Sequence, residues 1–544
     1  MTSQLDLIKT VLSDKRISVA IILLSIIGRV IQLIYFFNIR LDASHQVIAT
    51  RNFLEGHGIS MAKAYTEDIS SPIYEPLINW PPGYSVLLAP IYALFNGNYI
   101  AAGITLSIVA AIALILVSRS ILKLLDVPIY LVNLMTIISG FFIYFFYFIA
   151  SSDAITISLA MIAVYYSLLM IKSQDHWLKH SVIITLVLFM CGAIKYLFIP
   201  VVLVIPVYLA WKGIAEKNKR LTRSGSFSML ALLIAFGVIL AWQKSISGSA
   251  TYISEPGRGF FPNNLLAFFP FIPGSFIKPD TISLMLPGSG FVNSVVFAIF
   301  QLVHVILMLL LSFFLLRLIL KYGIKHSSLP NDFFYLILFI SWAITILLAI
   351  LSIQVEKEAW DGGHFWTYIE EQRYYGWPMV MIQLAAFIYY HHWRDKLGRF
   401  KQFFIVGLFL LMMIEVARGV IFDFKRVARF GKEEYSWQSE YRLQQYADNL
   451  IRQSLQKRTA KHVVVGGPFY YVNHRVSLYS NVPLLDKPAS INNMPDIKAK
   501  ETTLLLVILA ERDLKNFQSF LQAGIEVAGQ FNGLYFYTVY VDPQ

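Results

Sequence analysis

The sequence predicts an all-α polytopic membrane domain of about eleven transmembrane helices, followed by a small C-terminal α/β domain. Three observations lead to this fold class. The 544 residues are 57% hydrophobic and only 14% charged, a composition too apolar for a soluble globular protein. Apolar runs long enough to cross about 30 Å of hydrocarbon recur as far as residue 420. Beyond that residue, a polar helical segment and short β-rich runs replace them.

The predicted spans lie near residues 17–38, 99–120, 129–149, 153–172, 179–195, 198–211, 227–247, 292–320, 333–353, 375–392 and 402–420. Only Tyr196 and Leu197 would connect the fifth and sixth spans, so a tight hairpin or tilted half-helices are open alternatives there. The tail 421–544 predicts a polar helix at 433–456 and strands at 462–465, 503–509 and 534–541.

Lysine and arginine residues gather in every second loop between these spans. Because positively charged loops stay in the cytoplasm, the pattern predicts a multi-pass protein of the cytoplasmic (inner) membrane with a cytoplasmic N-terminus. The loops 39–98 and 248–291 and the tail 421–544 then face the other side. The basic residues behind the net charge of +12 lie largely in short loops between apolar spans, which is typical of cytoplasmic loops of membrane proteins. We therefore expect no nucleic-acid partner.

Two acidic residues would lie at the outer membrane boundary. Asp42 follows the first span, and Asp153 begins a span after an almost absent loop. Each could simply cap a helix or face solvent. However, a carboxylate at the membrane rim is costly unless a cation or a polar cavity accompanies it. Asp42 and Asp153 are therefore catalytic candidates, which could share acid–base work or jointly hold a divalent metal cation.

Two basic residues stand on the outer side, against the charge rule. Lys195 ends the fifth predicted span, and Arg373 with Tyr374 precedes the tenth. Snorkelling toward lipid phosphates is the simpler explanation. The alternative is a phosphate site in which Arg373 supplies a bidentate fork and Lys195 a point charge.

The loop 39–98 is too long for a simple connector and contains the rigid turn Trp80-Pro81-Pro82-Gly83. Trp80, the first residue of this turn, and Tyr84, the residue after it, are substrate-binding candidates together with Glu75 and Tyr196. The loop 248–291 is rich in aromatic residues and proline, which suits a lid that lies on the membrane over a lipid substrate. Structural packing alone is the open alternative for these residues.

The order of these pieces resembles the GT-C glycosyltransferases, multispanning enzymes that take sugars from polyprenyl-phosphate carriers. The matching pieces are Asp42, the segments 49–60 (ATRNFLEGHGIS) and 80–95 (WPPGYSVLLAPIYALF), Ser152-Asp153, Lys195-Tyr196 and Glu371-Gln372-Arg373-Tyr374. The most similar members are bacterial relatives of protein mannosyltransferases and of lipid A aminoarabinose transferases. Family members usually carry two acids in the first loop, whereas here Ala43 follows Asp42, which shifts weight to Asp153 or Glu75 as the second carboxylate.

The resemblance implies an inverting transfer of a hexose or pentose from a polyprenyl-phosphate donor to a lipid, glycan or protein acceptor of the cell envelope. Residues 1–420 would form the GT-C-like domain. Lys195 and Arg373 would stabilise the departing phosphate, and Asp42 would act as base at the acceptor. A transporter or flippase of a lipid-linked or small substrate is the alternative, and ionisable groups at mid-membrane depth would favour it.

Overall fold

The structure is a computed structural model of the chain. It describes residues 9–36, 41–78, 80–144, 146, 152–173, 175–248, 259–266, 268–279, 281–282, 290–322, 327–355, 360–361, 364–365, 372–394, 398–428, 436–467, 477, 481–486, 491, 496–517, 520–521, 525 and 527–543.

The α-helices are α1 (Lys15–Phe36), α2 (Leu41–Leu54), α3 (Gly83–Leu94), α4 (Tyr99–Leu124), α5 (Ile129–Phe141), α6 (Asp153–Lys172), α7 (Trp177–Ile194), α8 (Phe198–Val202), α9 (Val204–Ala215), α10 (Lys219–Ser247), α11 (Phe271–Gly274), α12 (Gly290–Tyr322), α13 (Leu329–Ile353), α14 (Gly376–Trp393), α15 (Arg399–Ala428) and α16 (Ser436–Lys457). Short 3₁₀ helices cover Pro262–Leu266, Gln372–Tyr375 and Glu511–Phe517. The strands are β1 (Ser60–Tyr65), β2 (Asp68–Pro76), β3 (Gly259–Phe260), β4 (Gln354–Val355), β5 (Trp360–Asp361), β6 (His364–Phe365), β7 (His462–Gly466), β8 (Leu484–Leu485), β9 (Thr503–Ala510), β10 (Val527–Phe531) and β11 (Leu534–Val541).

Nine helical segments in the described part of the chain are long and apolar enough to cross a membrane: α1, α4, α6, α7, α8 with α9, α10, α12, α13 and α15. The predicted polytopic helical domain is confirmed, and the chain is a multi-pass membrane protein. The predicted spans at 129–149 and 375–392 also form helices, α5 and α14, but fall outside this count. Helix α5 ends at Phe141, and α14 is less apolar because it contains Gln383, His391 and His392. Most of α14 is buried, so neighbouring helices rather than lipid surround Gln383.

The tail is an α/β domain, as predicted, but its sheet takes two strands from the first loop. The seven-stranded sheet has the order β10-β11-β9-β7-β8-β1-β2. Strands β9, β7, β8 and β1 are parallel, and antiparallel pairs complete both edges. The loop 39–98 and the tail 421–544, which the sequence assigns to different domains, therefore share one sheet and lie on the same side of the membrane.

Polar contacts join the β1–β2 hairpin to the tail. Lys63 on β1 pairs with Glu75 at 2.7 Å and with Asp486 at 3.0 Å. At the hairpin turn, the Ile69 amide donates to the Lys498 carbonyl at 2.9 Å. Asp68 accepts hydrogen bonds from Ser70 and from the Lys500 amide. Burial by itself would raise the pKa of Asp68, but these hydrogen bonds outweigh it and lower the pKa below its ordinary value.

Asp68 should make the stability of this sheet sensitive to acid. Because its pKa is lower in the folded protein than in the unfolded chain, its contribution is present above about pH 4 and is lost as the pH falls through the folded pKa. We expect Asp68→Asn to melt at a lower temperature than the wild type at pH 7, with a gap that closes below about pH 4. Thermal unfolding of the full chain, measured from pH 7 to below about pH 4, gives this difference in melting temperature. Glu67→Gln, an exposed neighbour in the same turn, is the matched control, and a gap that does not change with pH would contradict the assignment.

One part of the loop 248–291, residues 268–279, is buried among the helices, whereas the described residues 260–265 are mostly exposed. Residues 268–279 pack into the bundle: Phe271 is buried and stacks on Tyr375 at 4.8 Å between ring centroids. Gln383 of α14 donates to the Ser275 carbonyl at 2.7 Å, and the Lys278 amide donates to Glu415 at 2.9 Å. The aromatic and proline residues here serve helix packing. The lid remains a prediction for the rest of the loop, of which residues 249–258 and 283–289 lie outside the described residues.

Candidate active site

An antiparallel helix pair brings Asp153 and Lys195 together. Asp153 is the first residue of α6, and Lys195 is the residue that caps the C-terminal end of α7. A carboxylate is favoured at a helix N-terminus and a cation at a C-terminus, so each side chain suits its position. Lys195 Nζ donates to Asp153 Oδ1. The side chains are only 1% and 13% exposed, so the ion pair is sheltered from water.

Arg373 and Tyr374 reach the same place from the 3₁₀ turn before α14. Arg373 Nη1 lies 3.8 Å from Asp153 Oδ2, and the Arg373 side chain is 7% exposed. The Tyr374 ring has Lys195 Nζ 4.3 Å and Arg373 Cζ 4.9 Å from its centroid. Arg373 Nη2 also donates to the Tyr374 hydroxyl at 3.1 Å. Two cations thus share one carboxylate and one aromatic ring, and we call these four residues the cation cluster.

A glycine lets the Arg373 turn approach α6. A Cβ on Gly376, the first residue of α14, would come within 2.3 Å of Ile157 and 2.6 Å of Phe146. Ile157 lies one helical turn after Asp153. A larger residue at position 376 would therefore force Ile157, the Phe146 ring or the start of α14 to shift, so glycine permits this close approach of the turn to α6.

The first loop packs against the same end of α7. A Cβ on Gly83 would lie 2.4 Å from the Ala193 carbonyl oxygen, two residues before Lys195. Gly83 is the first residue of α3 and has no positive φ, so close approach rather than chain reversal requires glycine there. Trp80 packs on His45 of α2 at 4.8 Å between ring centroids. These contacts connect α2, whose first turn contains Asp42, to the end of α7.

The remaining substrate-binding candidates make their described contacts with residues outside the cation cluster. Tyr196 donates its hydroxyl to Gln243 of α10, and burial raises the pKa of Tyr196. Tyr84 is only 1% exposed and belongs to the packed core. Glu75 lies on β2 and pairs with Lys63 in the sheet. The contacts described for Glu75 are those of a sheet residue, so they give no support to Glu75 as the second catalytic carboxylate.

The metal hypothesis depends on Asp42 and Asp153. The Asp42 side chain lies outside the described residues. Both Asp153 oxygens face cations, so a divalent ion bound there would meet two positive charges. Among the described residues, no group of three or more His, Cys, Asp or Glu side chains could hold a metal ion. In this arrangement Asp153 is therefore not suited to bind a metal ion.

Two residues that the sequence did not single out, Phe271 and Gln243, contact chain neighbours of the cation cluster. Phe271 stacks on Tyr375, the residue after Tyr374, and Gln243 anchors Tyr196 beside Lys195. Gln243 is a polar residue buried on the apolar helix α10, and this pattern was a usable signal. Phe271 carried no such signal, because it is one aromatic residue among many in its loop.

Comparison with solved structures finds distant similarity along almost the whole chain. ArnT from Cupriavidus metallidurans, in a structure bound to undecaprenyl phosphate, is 11% identical, with 96% of this chain and 97% of ArnT covered and a TM-score of 0.45. The Archaeoglobus fulgidus oligosaccharyltransferase, in a complex with Zn and sulfate, is 10% identical, with 90% and 67% covered and a TM-score of 0.49. No family model matches the chain, and neither does any curated protein. With identities this low and TM-scores below 0.5, these similarities assign no reaction to the chain.

Proposed function

We propose that the protein is a glycosyltransferase that moves a sugar from a polyprenyl-phosphate donor to an acceptor of the cell envelope, at the outer face of the cytoplasmic membrane. The observation that carries the proposal is the convergence of Lys195 and Arg373 on Tyr374 and Asp153 at one end of the α6–α7 pair. The resemblance of the sequence to GT-C enzymes names the substrate class that such a site would take.

The cation cluster suits a lipid-phosphate leaving group. A sugar phosphate bond breaks with negative charge growing on the phosphate, and preorganised cations in a water-poor site stabilise that charge most effectively. The Arg373 guanidinium can hold two phosphate oxygens at once, whereas Lys195 offers one concentrated charge. The phosphate is already a good leaving group, so the donor side of the reaction needs no general acid.

Asp153 fits a positioning role in this mechanism. One Asp153 oxygen pairs with Lys195 and the other with Arg373. Asp153 therefore holds both cations close together, in position to bind one phosphate group. With its oxygens occupied in this way, Asp153 is poorly placed to take a proton from an acceptor. The base is therefore assigned to Asp42, at the start of α2, where it would take the proton of the attacking acceptor hydroxyl as the new glycosidic bond forms.

A transfer assay tests the proposal. The purified full chain in lipid nanodiscs would be mixed with polyprenyl-phosphate sugars and with envelope extract, and the products analysed by mass spectrometry. We expect acceptors heavier by one sugar residue and free polyprenyl phosphate in equal amount. In proteoliposomes, donor that crosses the bilayer without any such product would favour the flippase alternative and overturn the transferase assignment.

The orientation of the chain gives a separate prediction. The shared sheet ties the first loop to the tail, and the positive-inside pattern assigns both to the outer face. Protease added to right-side-out membrane vesicles should therefore cleave within the tail and spare the basic loop around Lys217. A protected tail with cleavage near Lys217 would reverse the topology and move the cation cluster to the cytoplasmic face.

A further inference from the structure

A cleft of about 470 Å³ lies between the first loop and the tail. Its lining comes from the C-terminal ends of α2 and α3, the start of α4 and two tail segments: Arg51, Leu54, Glu55, Tyr92, Asn96, Gly97, Tyr99, Gln444 and Asn481. Its volume falls within the roughly 300–1,000 Å³ that is usual for small-molecule sites. We call it the interdomain cleft.

The lining is polar and aromatic but carries no net charge. Glu55, the first residue after α2, lies four residues beyond Arg51, and its amide donates to the Arg51 carbonyl at 3.0 Å. The two side chains attract each other electrostatically, so their charges offset. Asn96, Asn481 and Gln444 add three amides, each able to donate and accept hydrogen bonds. Tyr92 adds an aromatic ring with a hydroxyl group, and Tyr99 adds a second aromatic side chain. An anion would find no excess positive charge here, whereas an uncharged ligand with many hydroxyl groups would find partners.

The cleft lies at the opposite end of α2 from Asp42. Residue 42 is in the first turn of α2, and Arg51 lies nine residues further along the helix. At 1.5 Å per residue this separation is about 14 Å. A ligand in the interdomain cleft would therefore lie well away from an acceptor hydroxyl next to Asp42, although a long acceptor could reach both places.

We propose that the interdomain cleft binds an uncharged saccharide portion of the acceptor, remote from the hydroxyl that receives the sugar. That the bound saccharide belongs to the acceptor rests on the proposed function, whereas saccharide binding by the cleft does not. Remote binding of this kind holds the acceptor in place and supplies binding energy that the reacting group alone lacks. It also requires the first loop and the tail to be joined, since Gln444 and Asn481 come from the tail.

Two asparagines allow a clean test. Asn96 and Asn481 have φ values of 51° and 53°, in the left-handed region that glycine also adopts without strain. The double variant Asn96→Gly/Asn481→Gly therefore removes two amides from the cleft and leaves the backbone unstrained. Asn532, with φ of 49° in the β10–β11 turn, provides the matched control Asn532→Gly.

The first measurement is saturation-transfer NMR from the full chain to neutral gluco-, manno-, galacto- and N-acetylglucosamine oligosaccharides of two to four rings. We expect a saturation-transfer signal from at least one of these oligosaccharides. The double variant should weaken its binding by about tenfold, the effect of two hydrogen bonds. Asn532→Gly and Arg373→Ala should bind it like the wild type. The proposal would be overturned if none of these oligosaccharides gave a saturation-transfer signal. It would also be overturned if the double variant bound them as tightly as the wild type does.

The second measurement is kinetic and separates this proposal from the proposed function. With a saccharide-bearing acceptor, the double variant should raise KM about tenfold and leave kcat within about twofold. With a short acceptor that lacks the saccharide, its KM should equal that of the wild type. Saccharide binding without any sugar transfer would refute the transferase assignment and leave the saccharide site in place. Normal sugar transfer with an unchanged KM in the double variant would refute only the saccharide site.

Discussion

Arg373→Ala is expected to slow sugar transfer about 100-fold or more while the protein stays folded. Loss of one preorganised contact to a developing charge costs about 2.7–4 kcal/mol of barrier, which corresponds to about 100- to 1,000-fold in rate. Lys195→Ala should have an effect of the same order. Each single variant leaves Asp153 with one of its two cations, so the buried carboxylate keeps a partner and the fold should survive.

The measurement is single-turnover transfer from a polyprenyl-phosphate sugar, with thermal unfolding measured on the same preparations. Arg373→Lys keeps the charge and loses the planar fork, so we expect only partial recovery of the rate. Lys172→Ala is the matched control, because Lys172 lies at the opposite end of α6 in an exposed pair with Asp126 and should leave the rate within about threefold. Rates within about threefold of wild type for both Arg373→Ala and Lys195→Ala would remove the cation cluster from the reaction.

Asp42→Asn should nearly abolish transfer and preserve donor binding. The substitution keeps the size of the side chain and removes its charge, so it eliminates the proton acceptor that we assign to the attacking hydroxyl. The donor should still bind, because Lys195 and Arg373 are unchanged. Donor binding is measured as the thermal stabilisation given by polyprenyl phosphate, and transfer is measured by mass spectrometry of the acceptor.

Asp126→Asn is the control for the change from acid to amide. Asp126 is exposed, pairs with Lys172 at the other end of α6, and has a left-handed backbone conformation that asparagine tolerates. Treatment of the wild type with a chelator separates the two roles proposed for Asp42. Because Asp153 is held by two cations, we expect activity to survive chelation. Loss of activity on chelation would restore a metal at Asp42, and an active Asp42→Asn variant would exclude Asp42 from both roles.

The pairing of Asp153 with Lys195 lies close to what the sequence determines. Two adjacent apolar segments joined by a short link form an antiparallel pair, so the start of one and the end of the other must meet at one membrane face. The sequence also placed Arg373 and Tyr374 on that face through the alternation of charged loops. It could not place them beside Asp153, because that contact depends on the close packing of α14 against α6 at Gly376.

The sequence by itself determined the membrane-spanning character, the α/β tail and the charged residue types at the ends of the apolar segments. Each of these follows from local hydrophobicity, charge or periodicity within one segment. Only the tertiary structure decided that β1 and β2 join the sheet of the tail, that residues 268–279 pack inside the bundle, and that Gly83 serves a close contact with Ala193. These features depend on strand partners and packing surfaces far apart in the chain, which no local pattern specifies.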